Sequence, residues 1–331
     1  MKQHPLLGRR MPMHPMRGLS LVEVMVTLAI GMIVTLGIVG IMLTNRQNLR
    51  ITEGLSESQE NARMAFELIA RDVRQARDTG CGTVPVTNAL NAGDNWWEAW
   101  WPIRGFAGDE DTSDIGAAAT GTNEGERVAD TEALQLLGSG EARIVKTITA
   151  DGTTINLKSP AGTLAGGPVI VCDLLTASLH TAGAAGANSI TATPAVADGA
   201  PDLGNPPFQV SRLTAVMWYI GNNGRATEGG RSLYRISLQS NGTTATEEIL
   251  PGVVNMQMSY HLNDTNNFVG SGALAAQADW DKINAIQLTL TTESTQRNVT
   301  SDAATDSEFV SDSDGRIRRD ITHVISLRNT I

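Results

Sequence analysis

The chain has 331 residues, 41% hydrophobic and 18% charged, enough for one sizeable globular domain or two small ones beside a membrane segment. Aromatic residues are few at 4% while glycine reaches 33, a balance that favours a loop-rich β domain over a helical bundle. The formal charge is -10, and the first 18 residues hold four basic and no acidic residues; without them 21 basic face 35 acidic residues, a charge of -14 that repels phosphate backbones and argues against nucleic-acid binding.

The leader, MKQHPLLGRRMPMHPMRG, carries Lys2, Arg9, Arg10 and Arg17 and no long apolar run. Those charges would hold the N-terminus in the cytoplasm and send the C-terminal body across the membrane. Leu19 to Leu43 then contains one ionisable residue, Glu23. As a helix this stretch would extend about 37 Å, enough to cross a hydrocarbon core of about 30 Å. A secretory signal places its apolar region before the cut, whereas a cut after Gly18 would leave the apolar helix on the product. The Arg9-Arg10 pair lacks the following apolar region and small-residue cut of a twin-arginine signal. A carboxylate inside an apolar span costs a few kcal/mol, which marks Glu23 as a functional residue; the plainer account is an acid that snorkels to the interface.

Gly18 followed by Leu19-Ser20-Leu21-Val22-Glu23 resembles the type III signal of type IV prepilins: a basic leader ending in glycine, an apolar first mature residue and a glutamate fifth. The resemblance implies that a prepilin peptidase cuts after Gly18 on the cytoplasmic side and N-methylates Leu19. The new amine then lies one helical turn from Glu23 and can partner it, within the chain or from a neighbouring subunit, to fix register. Major pilins commonly carry a proline in this helix; here Gly31, Gly37 and Gly40 stand instead, offering local softening or close helix packing.

From Thr44 the helical period continues to about Arg77. Ile51, Leu55, Ala62, Phe66, Ile69, Val73 and Ala76 form one apolar stripe, and Arg46, Arg50, Glu57, Glu60, Arg63, Glu67, Arg71, Arg74 and Arg77 the opposite face. Gly80 is the expected left-handed cap. A helix from Leu19 to Arg77 would be about 88 Å long, and its rear stripe needs a partner, most simply a sheet.

Beyond Gly80 the period becomes two. VVNMQMSYHL sets Val254, Met256, Met258, Tyr260 and Leu262 on one face, and AIQLTLTT alternates likewise. Further strands are expected at 133–137, 143–149, 168–174, 213–220, 232–238 and 321–327, separated by glycine- and aspartate-rich turns, which indicates an antiparallel sheet. Residues 176–207, rich in Ala, Gly, Thr and Pro, read as a long surface loop. Cys81 and Cys172 are the two cysteines, with no CxxC spacing. In a body outside the cytoplasm they would form one intramolecular disulfide; otherwise they are two buried thiols.

The body is similar to the PilW-type minor pilins in QENARMAFELIARDVRQAR with GC soon after, PIRGF, LYRISL followed by EEILPGVVNMQMSYHLND, and the ending GRIRRDITHVISLRN. This resemblance spans Gln59 to Asn329. It implies a pilin-like α+β fold, a long N-terminal helix packed on an antiparallel β-sheet body, and a minor pilin acting near the filament tip in pilus assembly and initiation. Its partners would be prepilin peptidase, other minor and major pilins and the inner membrane, with the body in the periplasm and the chain in the filament after assembly. The implied divisions are 1–18 leader, 19–43 transmembrane half-helix, 44–78 periplasmic half of the same helix and 79–331 β-rich domain. A J-type pseudopilin of type II secretion is the near alternative, and a membrane-anchored periplasmic binding protein outside any filament the distant one.

Nothing in the chain points to catalysis or a cofactor. The mature histidines His180, His261 and His323 make no HExxH arrangement, and neither GxSxG nor GxxxxGK occurs. His261 falls on the polar face of its strand, where solvation is the expected role. The acidic runs GDEDTSD (Asp109, Glu110, Asp111, Asp114) and SDSDG (Asp312, Asp314) supply hard oxygens but complete no EF-hand spacing, so solvated turns are expected over calcium sites. In NWWEAWWPIRGF, Trp96, Trp97, Trp100 and Trp101 pair at i and i+4, as a partner-binding patch or as a plug over the sheet.

Overall fold

A computed structural model describes residues 18, 20–80, 82, 84, 86–90, 95–98, 106–109, 117–173, 175–196, 208–274, 280–297, 310–311 and 315–328. The chain divides into two units, Met1–Arg50 and Ile51–Ile331. One helix, α1 (Leu21–Gln75), supplies residues to each.

In the first unit every α1 residue from Leu21 to Arg46 is exposed. The most apolar 18-residue stretch has a mean hydropathy of 2.5, so the helix is long and apolar enough to cross a membrane. Its hydroxyls bond back to the helix: Thr27 Oγ1 donates to the carbonyls of Glu23 (2.9 Å) and Val24 (3.0 Å), Thr44 Oγ1 to that of Gly40 (3.1 Å), and Thr35 Oγ1 to that of Gly31. Such bonds satisfy polar groups where water is absent. A Cβ added at Gly31, Gly37 or Gly40 would meet no other atom within 4 Å, so these glycines answer no packing demand within the chain.

In the second unit α1 buries Ser58, Ala62, Ala65, Phe66, Ile69, Ala70, Asp72 and Val73, a 3.6-period face that matches the expected stripe from Ala62 onward. Ile51 and Leu55 are only half-buried. Full burial stabilises each of Phe66, Ile69 and Val73 by roughly 1.5–3 kcal/mol. The helix ends at Gln75, earlier than the pattern indicates, because Arg77 takes the left-handed conformation (φ 66°). Its amide donates to the Leu137 carbonyl (2.8 Å), and its side chain, 5% exposed, donates to the carbonyls of Ile283 (3.0 Å) and Trp280. Arg77 is thus a buried clamp and not a member of the polar face. Gly138 lets the sheet reach this end, since a Cβ there would lie 2.5 Å from the Gln75 carbonyl oxygen.

Among the described residues fifteen strands follow: β1 (Val86–Asn88), β2 (Phe106–Asp109), β3 (Ala133–Ile148), β4 (Thr154–Leu157), β5 (Pro168–Cys172), β6 (Ala177–Gly186), β7 (Ser189–Thr193), β8 (Gln209–Asn222), β9 (Arg231–Leu238), β10 (Thr244–Pro251), β11 (Val253–Leu262), β12 (Phe268–Val269), β13 (Ile283–Glu293), β14 (Val310–Ser311) and β15 (Ile317–Ser326). The α+β, pilin-like expectation holds: one long apolar N-terminal helix and a large β body. The single expected sheet is, however, two. A ten-stranded sheet runs β10-β9-β8-β5-β6-β7-β4-β3-β2, with β1 parallel to β6. Because β3 also pairs with β8, six antiparallel strands, β8-β5-β6-β7-β4-β3, close into a ring. A five-stranded sheet, β12-β11-β13-β15-β14, is separate.

The stretch read as a surface loop, 176–207, holds two of the ring's staves, β6 and β7. Their alternation is carried by Ala177, Leu179, Ala182, Ile190 and Ala192, all buried, so small side chains disguise a strand pattern as low complexity. The two expected strands at 133–137 and 143–149 are one continuous β3.

Three clusters form the interior. α1 packs with both sheets through Trp218, Leu134, Met256, Tyr260 and Leu288. Trp96 and Trp97 cover the opposite face of the large sheet, against Leu137, Leu213 and Tyr219. Val145, Ile155, Leu164, Val169, Ile190 and Val210, borne mainly by the ring strands, make the third.

Charges lie inside this packing. Asp72, with its side chain 6% exposed, accepts from Trp218 Nε1 and Arg235 Nε, both at 3.1 Å, and the Arg235 guanidinium lies 5.6 Å from the Trp218 ring centre. Arg316, fully buried, pairs with Glu293 (3.3 Å) and donates to the carbonyls of Ser294, Thr295 and Thr227. These partners join the small sheet to the turn after β8.

Asp72→Ala should lower stability by about 2–4 kcal/mol, since it strands a buried indole N–H and a guanidinium, whereas Asp72→Asn should cost less. Urea unfolding of the chain in detergent measures this, and an unchanged midpoint for Asp72→Ala would refute the anchor. A second expectation concerns His180, 1% exposed, with Nε2 2.7 Å from Ser178 Oγ and Nδ1 2.8 Å from the Pro194 carbonyl oxygen. Burial lowers its pKa, partly opposed by the Pro194 carbonyl. Below the usual histidine pKa of about 6.5 the unfolded chain takes up a proton that the folded chain resists, so stability falls as pH drops. His180→Gln should shrink the loss of urea midpoint between about pH 7 and pH 5.5; an identical loss in the variant would show that His180 is not its source.

Candidate assembly surface

Gly18 is exposed, and a Cβ there would meet nothing within 4 Å. Leu19 lies outside the described residues. Ser20 begins the helix, its carbonyl accepting from the Val24 amide at 3.2 Å. Glu23 stands in the first turn of α1, exposed, and its carboxylate has no hydrogen-bond or ion-pair partner among the described residues. A carboxylate near a helix N-terminus gains from the positive end of the macrodipole, about 0.3–1 kcal/mol, well short of the cost of an apolar setting. The rest of that cost has to be met from outside the described chain. Around Glu23 the surface is a continuous apolar cylinder: Leu21 is 76% exposed and Ile33 69%. Such a surface is suited to packing against lipid or other apolar helices.

The other sequence-derived sites do not join this one. Trp96 (8% exposed) and Trp97 (4%) are core residues, so the partner-patch reading fails for them; Trp100 and Trp101 lie outside the described residues. Asp312 and Asp314 also lie outside, as do Glu110, Asp111 and Asp114, and no group of His, Cys, Asp and Glu suited to a metal occurs among the described residues. His261 is half-buried, hydrogen-bonded with Asn284 Oδ1 at 2.8 Å and edge-on to Phe268. His323 lies against Phe66 of α1, ring centres 4.4 Å apart.

Cys172 is 1% exposed at the end of β5, its Sγ 3.6 Å from the Thr79 carbonyl oxygen. Cys81 lies outside the described residues. Sequence reasoning overlooked Asp72, Glu293 and Arg316 and put Arg77 on the polar face. The only available signal was a charge beside an apolar stripe or at a strand end, and that pattern is shared by solvated residues.

A family model described as Prokaryotic N-terminal methylation motif matches residues 13–39, bracketing Gly18, Leu19 and Glu23. A second, Type IV Pilus-assembly protein W, matches residues 217–329, from within β8 through β15. No curated protein and no solved structure matches the chain. The second match covers LYRISL, EEILPGVVNMQMSYHLND and GRIRRDITHVISLRN but not QENARMAFELIARDVRQAR or PIRGF, which lie before it. The chain thus carries a prepilin-type N-terminal signal and is similar, over its last third, to the type IV pilus-assembly protein W family.

Proposed function

We propose that this chain works by assembly and not by catalysis. It waits in the inner membrane with its body in the periplasm, is cut after Gly18 and N-methylated on Leu19 by prepilin peptidase, and then packs with other pilins near the filament tip to prime assembly. The observation that carries this reading is the lone Glu23 on an exposed apolar helix, inside the methylation-motif match. Insertion of a carboxylate at mid-membrane costs about 2.5–3.5 kcal/mol. An ammonium 4 Å away returns about 4 kcal/mol at an effective dielectric near 20. The two terms nearly cancel, so Glu23 becomes tolerable once cutting has created an amine, its own or a neighbour's. The match to a pilus-assembly family supports this reading over a secretion pseudopilin.

The same reading places the cysteines in an oxidising compartment, and a Cys81–Cys172 disulfide is proposed with it. Cys172 packs on the carbonyl of Thr79, two residues before Cys81, and no cysteine is free among the described residues. The bond would tie the end of α1 to the ring and close a loop of about 90 residues, worth about 3–5 kcal/mol.

Co-expressed with prepilin peptidase, the chain should lose residues 1–18 and gain a methyl group on Leu19 by intact mass; survival of the uncut chain would favour a membrane-anchored binding protein. Glu23→Ala should be cut normally yet be recovered several-fold less in sheared filaments, and equal recovery would defeat the register role. Reduction of the exported chain should add two mass units and lower its thermal midpoint by about 5 °C or more; free thiols before reduction would remove the disulfide.

A further inference from the structure

β15 pairs with β13 along its length but with β14 only at Ile317 and Arg318. From Arg319 to Ser326 its outer edge is open among the described residues. The Leu327 amide donates to the Asn284 carbonyl, and the carbonyls of Ile317 and Arg319 accept from the Ser294 amide and the Thr292 hydroxyl. Odd-numbered residues therefore turn their backbone groups toward β13, and Asp320, Thr322, Val324 and Ser326 turn theirs outward. The edge has the length of an ordinary strand and no proline to blunt it, and Val324 is 57% exposed.

Beside this edge, β15 and α1 line a cavity of ≈ 560 Å³. Ala62, Phe66, Ala70, Ile321, His323 and Ile325 make its apolar wall. Arg63, Arg74 and Arg319 stand around it; Arg63 is paired with Glu67 at 3.2 Å, while Arg74 and Arg319 have no carboxylate partner among the described residues. Two uncompensated cations beside an apolar groove are a marked local feature in a chain of net charge -10.

We propose that this edge and groove receive an extended segment of another protein, added as a further strand along β15. On its face toward α1, apolar side chains would enter the groove beside Phe66 and His323, and carboxylates at other positions on that same face would meet Arg74 and Arg319. Backbone hydrogen bonds to Asp320, Thr322, Val324 and Ser326 would supply affinity, and the groove specificity. A second copy of this chain fits less well, because edge-to-edge pairing would bring the same cations together. This interface belongs to the body and stands whether or not α1 enters a filament.

The test uses the mature full-length chain in detergent and a fluorescent synthetic peptide in which one set of alternate positions carries valines flanked by acidic residues and the other set carries threonines. The controls are a shuffled peptide and one with lysine in place of each acid. Saturable binding of the alternating acidic peptide is expected, with hydrogen exchange slowed at residues 320–326. Val324→Pro removes an outward donor at an edge position that tolerates proline and should weaken binding at least tenfold. Should that variant fold poorly, the double change Arg74→Glu and Arg319→Glu, made on accessible side chains, should shift preference at least tenfold toward the lysine peptide. Absent binding, equal binding of the shuffled peptide, or indifference to the charge reversal would overturn the proposal. A dimeric free chain already protected at 320–326 would do so too, by giving the edge to a second copy.

Discussion

The apolar segment of α1 has no partner among the described residues. Every residue from Leu21 to Arg46 is exposed, and the glycines along it face open space. Burial of such a surface is worth about 25 cal/mol per Å² of apolar area, which suits it to cover by lipid or neighbouring apolar helices. The hydroxyls of Thr27, Thr35 and Thr44 are already closed onto the helix backbone, which leaves Glu23 as the one side chain the apolar setting cannot satisfy. In the proposed function, the leader, the cut and the new amine are answers to that one residue.

The second half of α1 meets the opposite demand. Its buried face lies against both sheets, and the polar groups along it are matched: Ser58 Oγ lies 2.5 Å from Thr292 Oγ1, Asp72 meets Trp218 and Arg235, and Arg77 caps carbonyls beside β13. Directional bonds of this kind fix the helix's rotation against the body, which apolar packing alone leaves loosely set. Arg316 and Glu293 do the same between the small sheet and the turn after β8.

The sequence made the helix and its prepilin-type signal legible for a simple reason. A 3.6-residue period persists over many turns, and the glycine–glutamate spacing is chemically specific. Strands β8, β9, β11 and β13 were readable because large apolar side chains alternate along them. β6 and β7 were not, because alanine, glycine and threonine carry their alternation, and closure of the ring depends on pairings between residues far apart in the chain, such as Ala133 with Tyr219. Arg77 was misread because a helical wheel assigns faces only while the helix continues. Trp96 and Trp97 illustrate a general ambiguity: large aromatics suit an interface and a core equally well until burial is known.

The account rests on the meeting of Glu23 with the amine made by processing, and a direct distance is its sharpest test. Filaments built with the chain labelled at the Glu23 side-chain carboxyl carbon and the Leu19 nitrogen allow carbon–nitrogen dipolar recoupling to be measured. Contact at about 4 Å, within a chain or between neighbours, is the expected result. A separation beyond about 6 Å in both mixed-label and doubly labelled filaments would contradict it.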